Sequence, residues 1–524
     1  MGQMLGVMVD CSRNAVMKPE TLKKYITLLA KMGYNTLMLY TEDTYEVTGE
    51  PLFGYLRGRY TKAEIKEIDA YCLSLGIELI PCIQTLAHLN CAFMWDEYKA
   101  VCDCNDILLI DDERTYRLIE NMFSSLAECF TTRRIHIGMD EAHMVGLGKY
   151  LDRHGFANRF DLIDHHLQKV CEIAGRYGFT PMMWSDMFFC LANKGEYYKD
   201  TADFDESIRT EIPENVSLVY WDYYHDDEQV YLDMIRCHKK LSDKIIFAGG
   251  AWSWIGFAPD NAKSIRRTKE ALSACRKEGI QDIFFTSWGD DGAECSRFAV
   301  LPALFAAAEY SRGNYDGESI RKKFRETVGA DFDTFMLLDK AVTPEEYGKL
   351  GLSKALLYND IFCGINDYLC SEKQNLYFEE LSKELKEAEG KGEFAYLFDT
   401  IAALCDVLAI KCNLGAELRA AYQSGDKEAL AALSEKLPEL TKKISVLHDV
   451  FEAQWMRDNK PFGFDVQDVR FGGLIQRIKS CGARLDKYLA GETGSIPELE
   501  EKILEAKHGE CVYWSKSYTV NSVW

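Results

Sequence analysis

The stretch Arg134-Ile135-His136-Ile137-Gly138-Met139-Asp140-Glu141 decides the fold, because it reads as a short apolar strand that ends in a glycine and two adjacent carboxylates. Adjacent carboxylates that are partly buried repel each other, so this pair behind a strand indicates acid/base chemistry. A second interpretation stays open here, in which Asp140 and Glu141 begin the next helix and bind its free N–H groups.

Around this stretch, apolar β-type runs alternate with amphipathic helical patterns up to about residue 311. The predicted strands lie at residues 4–9, 36–40, 77–83, 133–138, 181–185, 217–221, 244–249 and 282–288. Thr61 and Glu64 form the pattern of a capping box before one of the helices. Because eight such strand–helix units are typical of a (β/α)8 barrel, we predict an α/β TIM barrel, with a doubly wound open sheet as the structural alternative.

The C-terminal part of the chain has a different pattern. Strand patterns vanish there, and amphipathic helices are predicted at residues 378–397, 398–418 and 427–452. We therefore predict two domains, a catalytic (β/α)8 barrel at residues 1–312 and an all-α domain at residues 313–524. The aromatic segment 455–477 either closes over the barrel mouth or serves domain packing, and the helical domain could also support a homodimer.

Composition excludes several classes of protein. A net charge of −22 over 524 residues argues against a nucleic-acid partner, which needs a basic patch. The sequence has neither a secretory signal nor an apolar run long enough for a membrane span. Its 18 cysteines contain no C-x-x-C pair or zinc spacing and are expected to be reduced. We therefore expect a cytoplasmic protein without membrane contact.

Catalytic groups of a (β/α)8 barrel follow the C-terminal ends of the strands. In this sequence those positions are polar and aromatic, and they hold Asp10, Ser12, Arg13, Glu42, Asp43, Tyr45, Gln84, His88, Asp140, Glu141, His143, Trp184, Asp186, Trp221, Asp222, Tyr223, Tyr224, Trp252, Trp254, Trp288, Asp290, Asp291 and Glu294. Aromatic rings stack on the apolar faces of sugars, and carboxylates accept hydrogen bonds from hydroxyls. The set predicts a carbohydrate site, although core packing would explain any single tryptophan.

Residues 136–141 resemble the H-x-G-G-D-E signature of the β-N-acetylhexosaminidases of glycoside hydrolase family 20, with Met139 at the second glycine. Further similarities follow in the family's order: Gly6-Val7-Met8-Val9-Asp10 with Arg13 for its first strand and sugar-binding arginine, Asp43 and His88 for its aspartate–histidine pair, and Trp288-Gly289-Asp290 for its Trp-Gly-Glu. Leu86-Ala87 replaces the usual Pro-Gly before the histidine. The resemblance covers residues 3–311, and a barrel followed by a helical region is similar to a bacterial subgroup.

The resemblance implies substrate-assisted hydrolysis of terminal GlcNAc or GalNAc, in which the 2-acetamido oxygen of the substrate is the nucleophile. Glu141 would be the general acid and later the base. Asp140 would orient the acetamido group and stabilise the oxazolinium-like intermediate. Tyr223 is the preferred hydroxyl donor to the acetamido oxygen, and Tyr224 is the alternative. No metal or cofactor is expected.

The other site residues follow from the same resemblance. Sugar contacts are expected from Arg13, Trp184, Trp221, Trp252, Trp288 and Asp290, with Asp43 and His88 behind the acid and steering Glu141. Arg13 could instead form only an ion pair at the barrel rim, Trp254 could be packing, and His136 is expected to be a buried strand residue. A conventional retaining β-glycosidase with a carboxylate nucleophile and a non-catalytic carbohydrate-binding barrel remain the alternative functions.

Overall fold

The computed structural model describes residues 3–199, 212–342, 350–507 and 511–521. Within these residues, eight parallel strands are β1 Leu5–Asp10, β2 Thr36–Tyr40, β3 Glu78–Cys82, β4 Arg134–His136, β5 Thr180–Trp184, β6 Ser217–Trp221, β7 Ile245–Gly250 and β8 Ile283–Ser287. Each strand pairs with its neighbours in the sequence, and β8 pairs with β1 to close the barrel. The predicted (β/α)8 barrel is confirmed, and the open-sheet alternative is wrong.

The barrel interior is a packed apolar core, as the continuous apolar runs of the strands predict. Inward side chains from almost every strand form one cluster, which includes Met8, Met38, Tyr40, Ile80, Cys82, Met182, Trp184, Val219, Ala248 and Phe284. Asp10 lies in register with Tyr40, and Tyr40 with Cys82, which in turn pairs with His136. The residues that follow these positions therefore emerge at one level of the barrel rim.

The helices that alternate with the strands are α1 Pro19–Met32, α2 Lys62–Ser74, α3 Glu113–Ala127, α4 Arg159–Arg176, α5 Asp186–Ala192, α6 Glu228–Leu241, α7 Asn261–Lys277 and α8 Leu301–Ser311. The capping box predicted for α2 is confirmed. The Thr61 hydroxyl accepts the Glu64 N–H at 3.2 Å, and the Glu64 carboxylate accepts the Thr61 N–H at 2.8 Å. These two bonds pair donors that the first turn of the helix would otherwise leave unsatisfied.

The C-terminal region is helical, as predicted, with α9 Gly317–Val328, α10 Phe332–Met336, α11 Leu352–Tyr358, α12 Glu372–Glu387, α13 Ala395–Lys411, α14 Leu414–Ser424, α15 Lys427–Ser434, α16 Leu437–Asp458 and α17 Asp465–Leu489. All three predicted helices are interrupted, and the one predicted at 398–418 is divided between α13 and α14 at residues 412 and 413. The one predicted at 378–397 ends at Glu387, because Gly390 and Gly392 have φ values of 78° and 59°. The one predicted at 427–452 breaks before Pro438, which lies in the first turn of α16.

The chain divides into two compact units. The first comprises residues 1–251, 263–289 and 303–316, and the second comprises 252–262, 290–302 and 317–524. The loops after β7 and β8 thus belong to the unit that contains the helical region, which the simple sequence division at residue 312 does not anticipate. Among the described residues, we find no helix whose length and hydropathy would suit a membrane span.

Candidate active site

The loop after β4 carries the two adjacent carboxylates in a left-handed backbone. Gly138, Met139 and Glu141 have φ values of 73°, 75° and 52°. A Cβ on Gly138 would lie 2.1 Å from the Gln84 Oε1 and 2.8 Å from the carbonyl oxygen of Ile83, so only glycine fits there. This turn ends β4 at His136, two residues before the predicted end.

Met139 adopts the same left-handed conformation without being a glycine, which explains why glycine suits this position in the resembling signature. Its side chain is fully buried, so apolar burial offsets a conformational strain of about 1–2 kcal/mol. The next helical segment, Lys149–His154, begins eight residues after Glu141. The interpretation of the two carboxylates as a helix cap is therefore wrong.

Asp140 is held as an anion by two neighbours. Its Oδ1 accepts a hydrogen bond of 2.7 Å from the Gln84 Nε2, and its Oδ2 lies 3.2 Å from the His88 Nε2. Burial alone would raise the pKa of Asp140, but the charge of His88 and the polar contacts from His88 and Gln84 outweigh it and lower the pKa. Asp140 is therefore ionised and oriented at neutral pH.

His88 supplies the positive charge beside both carboxylates. Its Nε2 also lies 3.7 Å from the Glu141 Oε2, and its backbone N–H donates to Asp106 at 3.0 Å. Burial lowers the pKa of His88, but the charge of Asp140 more than compensates and raises it to about 10. The structure thus places His88, as a cation, beside both Asp140 and Glu141.

Asp43 does not form the predicted pair with His88. Its Oδ1 accepts a hydrogen bond of 2.9 Å from the Arg57 Nε, and no hydrogen bond or ion pair joins Asp43 to His88 within the described residues. Burial raises the pKa of Asp43, and Arg57 opposes this rise. An arginine in the loop after β2 neutralises the buried carboxylate, a partner that the sequence pattern does not identify.

Glu141 differs from Asp140 in exposure and in the direction of its pKa shift. The Glu141 side chain is 52% exposed, whereas that of Asp140 is 12% exposed. Burial and the charge of Asp140 raise the pKa of Glu141, while His88 opposes the rise. The pKa of Asp140 is thus lowered and that of its neighbour Glu141 is raised, which are the directions that suit an anionic partner and a general acid.

Gln84 and Asp186, to which the sequence pattern assigns no role, contact this pair. The Gln84 amide bridges the Tyr40 hydroxyl, Asp140 and the Met139 N–H, at 2.9, 2.7 and 3.2 Å. The Asp186 carboxylate accepts the backbone N–H of Glu141 at 2.9 Å. The only signal in the sequence was that both residues directly follow a predicted strand.

Aromatic side chains at the ends of β5, β6 and β8 contact one another. Trp184 is 1% exposed, its ring centre lies 6.2 Å from that of Trp288, and its Nε1–H has no hydrogen-bond partner among the described residues. Trp221 stacks on Tyr223 with ring centres 5.4 Å apart. Tyr223 is buried and hydrogen-bonded to the side chains of Thr286 and Trp288.

Tyr224 has a different environment from Tyr223. It is 42% exposed, whereas Tyr223 is 5% exposed, and burial together with a smaller effect of the Asp140 charge raises the pKa of Tyr223. His136 is buried as predicted, and its Nδ1 accepts the Gly138 N–H at 3.1 Å. Burial lowers the pKa of His136 to about 3, so the ring is neutral.

Arg13 forms the ion pair that the sequence left open as an alternative. Its Nη1 lies 2.5 Å from the Glu42 Oε1, and Glu42 also accepts a hydrogen bond of 3.1 Å from the Tyr40 hydroxyl. Burial raises the pKa of Glu42 to about 7, although Arg13 opposes the rise. Arg13 is therefore anchored at the rim next to β2, where a sugar contact remains a prediction.

Trp252 and Asp290 belong to the second unit and not to the cluster described above. Trp252 is 1% exposed and stacks on Trp254, with ring centres 4.4 Å apart. Asp290 begins a short 3-10 turn, Asp290–Gly292, directly after the Trp288-Gly289 dipeptide. Their predicted sugar contacts stay predictions.

Comparison with known proteins gives consistent family matches. Residues 4–234 match the model described as the glycosyl hydrolase family 20 catalytic domain, and residues 333–513 match the Glycoside Hydrolase 20C C-terminal domain. Hexosaminidase D of Bos taurus is 24% identical over 258 residues, which cover 47% of this chain and 69% of that protein. Hexosaminidase D of Homo sapiens is 23% identical over 343 residues, which cover 60% and 67%.

A solved structure of the GH20 exo β-N-acetylglucosaminidase from Vibrio harveyi aligns with a TM-score of 0.48 and 15% identity. The alignment covers 64% of this chain and 58% of that chain. The chain thus spans little more than half the length of that enzyme.

Proposed function

Because the chain belongs to glycoside hydrolase family 20, we propose that it is an exo-acting β-N-acetylhexosaminidase that removes terminal β-linked GlcNAc or GalNAc with retention of configuration. The observation that supports this proposal most is the pair of adjacent carboxylates with opposite pKa shifts. The pKa of Asp140 is lowered by His88 and Gln84, and the pKa of Glu141 is raised by burial and by the charge of Asp140.

In the proposed first step, Asp140 accepts a hydrogen bond from the substrate acetamido N–H and directs the acetamido oxygen at C1. That oxygen forms the new bond to C1 while Glu141 donates its proton to the glycosidic oxygen, which leaves as the alcohol. In the second step, Glu141 takes a proton from water as the water oxygen attacks C1 and reopens the oxazolinium ring. Two inversions at C1 give retention.

We propose that the aromatic side chains enclose the acetamido group and the sugar face. Trp184, Trp221 and Trp288 would form the walls, and the Tyr223 hydroxyl would donate to the acetamido oxygen. Arg13 and Asp290 would bind ring hydroxyls by charge-assisted hydrogen bonds, and Trp252 would add a further aromatic contact. His88 would keep Asp140 anionic, as its orienting role requires. Asp43 would hold Arg57 by the hydrogen bond between them.

The choice of nucleophile is tested with a pair of chromogenic substrates. A β-GlcNAc glycoside should have a kcat/KM at least about 10³ times that of the corresponding 2-hydroxy glucoside, because only the first carries the nucleophile. Comparable rates, or a glycosyl ester trapped on the protein, would favour a conventional retaining glycosidase. Sugar binding without turnover at any pH would favour a carbohydrate-binding barrel.

The two carboxylate roles are tested by amide substitutions. Asp140→Asn should lower kcat by about 10²–10³ for every leaving group, because orientation and charge stabilisation of the acetamido group are needed in each case. Glu141→Gln should lower kcat most for poor leaving groups, which need the proton, and least for nitrophenolate. If Asp140→Asn retained wild-type kcat, the orienting role would be excluded.

We further propose a reducing, cytoplasmic location, and we leave a monomer and a homodimer open as the assembly. The location is supported by the free thiols of all 18 cysteines. Cell fractionation and light scattering test these two statements separately.

A further inference from the structure

Asp186 makes a contact with the catalytic loop that none of the roles above explains. It is the first residue of α5, two positions after β5, and it is 1% exposed. One carboxylate oxygen accepts the Glu141 backbone N–H at 2.9 Å, and the other accepts the Trp221 indole N–H at 3.5 Å. The side chain therefore joins the loop after β4 to the end of β6.

The Glu141 backbone needs such an anchor. Its φ of 52° lies in the left-handed region, and its side chain is half exposed and receives little support from packing. The position of the Glu141 carboxyl group therefore depends on its own backbone as well as on His88, whose Nε2 lies 3.7 Å from its Oε2. A buried carboxylate on the backbone N–H holds that backbone directly.

We propose that Asp186 is a positioning residue for the general acid, and that it fixes the Glu141 backbone and the Trp221 indole to one common anchor. This inference rests on the function proposed above. Burial and the charge of Asp140 raise the pKa of Asp186 to about 8, so Asp186 does not add a second full negative charge beside Asp140 near neutral pH. A misplaced Glu141 should impair proton donation to the leaving group and also water activation in the second step, and the leaving-group dependence of kcat/KM isolates the first of these effects.

The test compares two β-GlcNAc glycosides, one with a nitrophenolate leaving group and one with an alkoxide leaving group. The measured quantity is the kcat/KM of the nitrophenyl glycoside divided by that of the alkyl glycoside, because departure of nitrophenolate needs little protonation. Asp186→Ala should raise this ratio at least about tenfold over wild type, since a displacement of about 1 Å is enough for such a loss. Asp186→Asn should give a smaller rise, because its one amide oxygen can accept from only one of the two N–H groups.

Ser185→Ala is the matched control. Ser185 is the buried neighbour of Asp186, and its hydroxyl contacts the Val219 carbonyl oxygen and His238 instead of the catalytic loop. The control should leave the ratio unchanged. Near-UV circular dichroism and thermal unfolding verify that each variant is folded, and if Asp186→Ala does not fold, the isosteric Asp186→Asn decides.

Wild-type ratios in both Asp186 variants, or equal losses on both substrates, would overturn the inference and leave the proposed function intact. Failure of the wild-type protein to cleave either GlcNAc glycoside would overturn the proposed function and this inference with it. The two failures are therefore distinguishable in the same set of measurements.

Discussion

His88 lies beside both adjacent carboxylates of the loop after β4 and acts to lower the pKa of each. Its Nε2 lies 3.2 Å from the Asp140 Oδ2 and 3.7 Å from the Glu141 Oε2, so its charge acts on both carboxylates. It acts more strongly on Asp140, which is closer and more buried. The pKa of Asp140 is lowered, whereas burial and the charge of Asp140 raise the pKa of Glu141. The two pKa shifts are therefore opposite although His88 acts to lower both, because burial and the charge of Asp140 outweigh it at Glu141.

The tyrosine pair after β6 allows a sharp comparison at the residue scale. Tyr223→Phe should lower kcat about 10²–10³-fold, because it removes one preorganised donor to the acetamido oxygen where charge develops. Tyr224→Phe is the matched control and should stay within about twofold, because Tyr224 is 42% exposed. Steady-state kinetics on a GlcNAc glycoside measures both, and an equal loss in the two variants would contradict the assignment.

The residue types at the strand ends could be predicted from the sequence, but their partners could not. The pair Asp140 and Glu141 stands out because an apolar run precedes it. Gln84 and Asp186 lie 56 and 45 positions from the residues they bind in the loop after β4. Which polar side chains meet across such distances depends on packing and register, and the sequence pattern records neither. The sequence pattern likewise does not show that Asp43 pairs with Arg57 instead of His88.

At the scale of elements, the strands and helices of the barrel could be predicted almost completely. Buried parallel strands are continuous apolar runs, and the capping box at Thr61 marks the start of α2. Most of the errors occur where glycine or proline changes the backbone. Gly138 ends β4 early, and Gly390 and Gly392 end α12, because a pattern of apolar residues carries no information on φ.

The turn after β4 can be tested by a pair of glycine substitutions. Gly138 and Gly76 have φ values of 73° and 71°, but a Cβ on Gly76 meets nothing within 4 Å. Gly76→Ala should therefore cost only the left-handed strain, about 1–2 kcal/mol of unfolding free energy. Gly138→Ala should cost more and also lower kcat, because the new Cβ meets the Ile83 carbonyl oxygen and displaces Gln84 from Asp140.

Urea unfolding and steady-state kinetics of the two glycine variants provide the measurement. Equal unfolding free energies for Gly138→Ala and Gly76→Ala would show that the close approach to Gln84 and Ile83 is not limiting. A Gly138→Ala variant with wild-type kcat would show that Asp140 keeps its orientation without the Gln84 hydrogen bond.

At the scale of the whole molecule, buried titratable groups set how stability depends on pH. Burial raises the pKa values of Asp186 and Asp339 to about 8, and the charge of Asp140 raises that of His88 to about 10. Because these folded-state values lie above the unfolded ones, the stability that the protons contribute is fully present below the unfolded pKa. It is lost as the pH rises through the folded value.

Three buried histidines act in the opposite direction. Burial lowers the pKa values of His136 and His238 to about 3 and that of His166 to about 4. Their contribution is present above the unfolded pKa of about 6.5 and is lost as the pH falls below it. Between about pH 4 and 6.5 the two sets oppose each other, whereas above pH 6.5 the changes come from the groups with raised pKa values, which also include Glu42 at about 7.

We therefore expect the apparent Tm to vary little between pH 5 and 6.5 and to fall from pH 6.5 to 9. Asp186→Asn should make the fall of the unfolding free energy between pH 6.5 and 8 less steep by roughly 1 kcal/mol per pH unit, because one buried proton is no longer released. Its Tm should accordingly fall less over the same range. Ser185→Ala should keep the wild-type slope, since its hydroxyl does not titrate. Thermal unfolding followed by circular dichroism measures all three proteins, and a wild-type Tm that rises above pH 7 would contradict the assigned protonation of Asp186, Asp339 and His88.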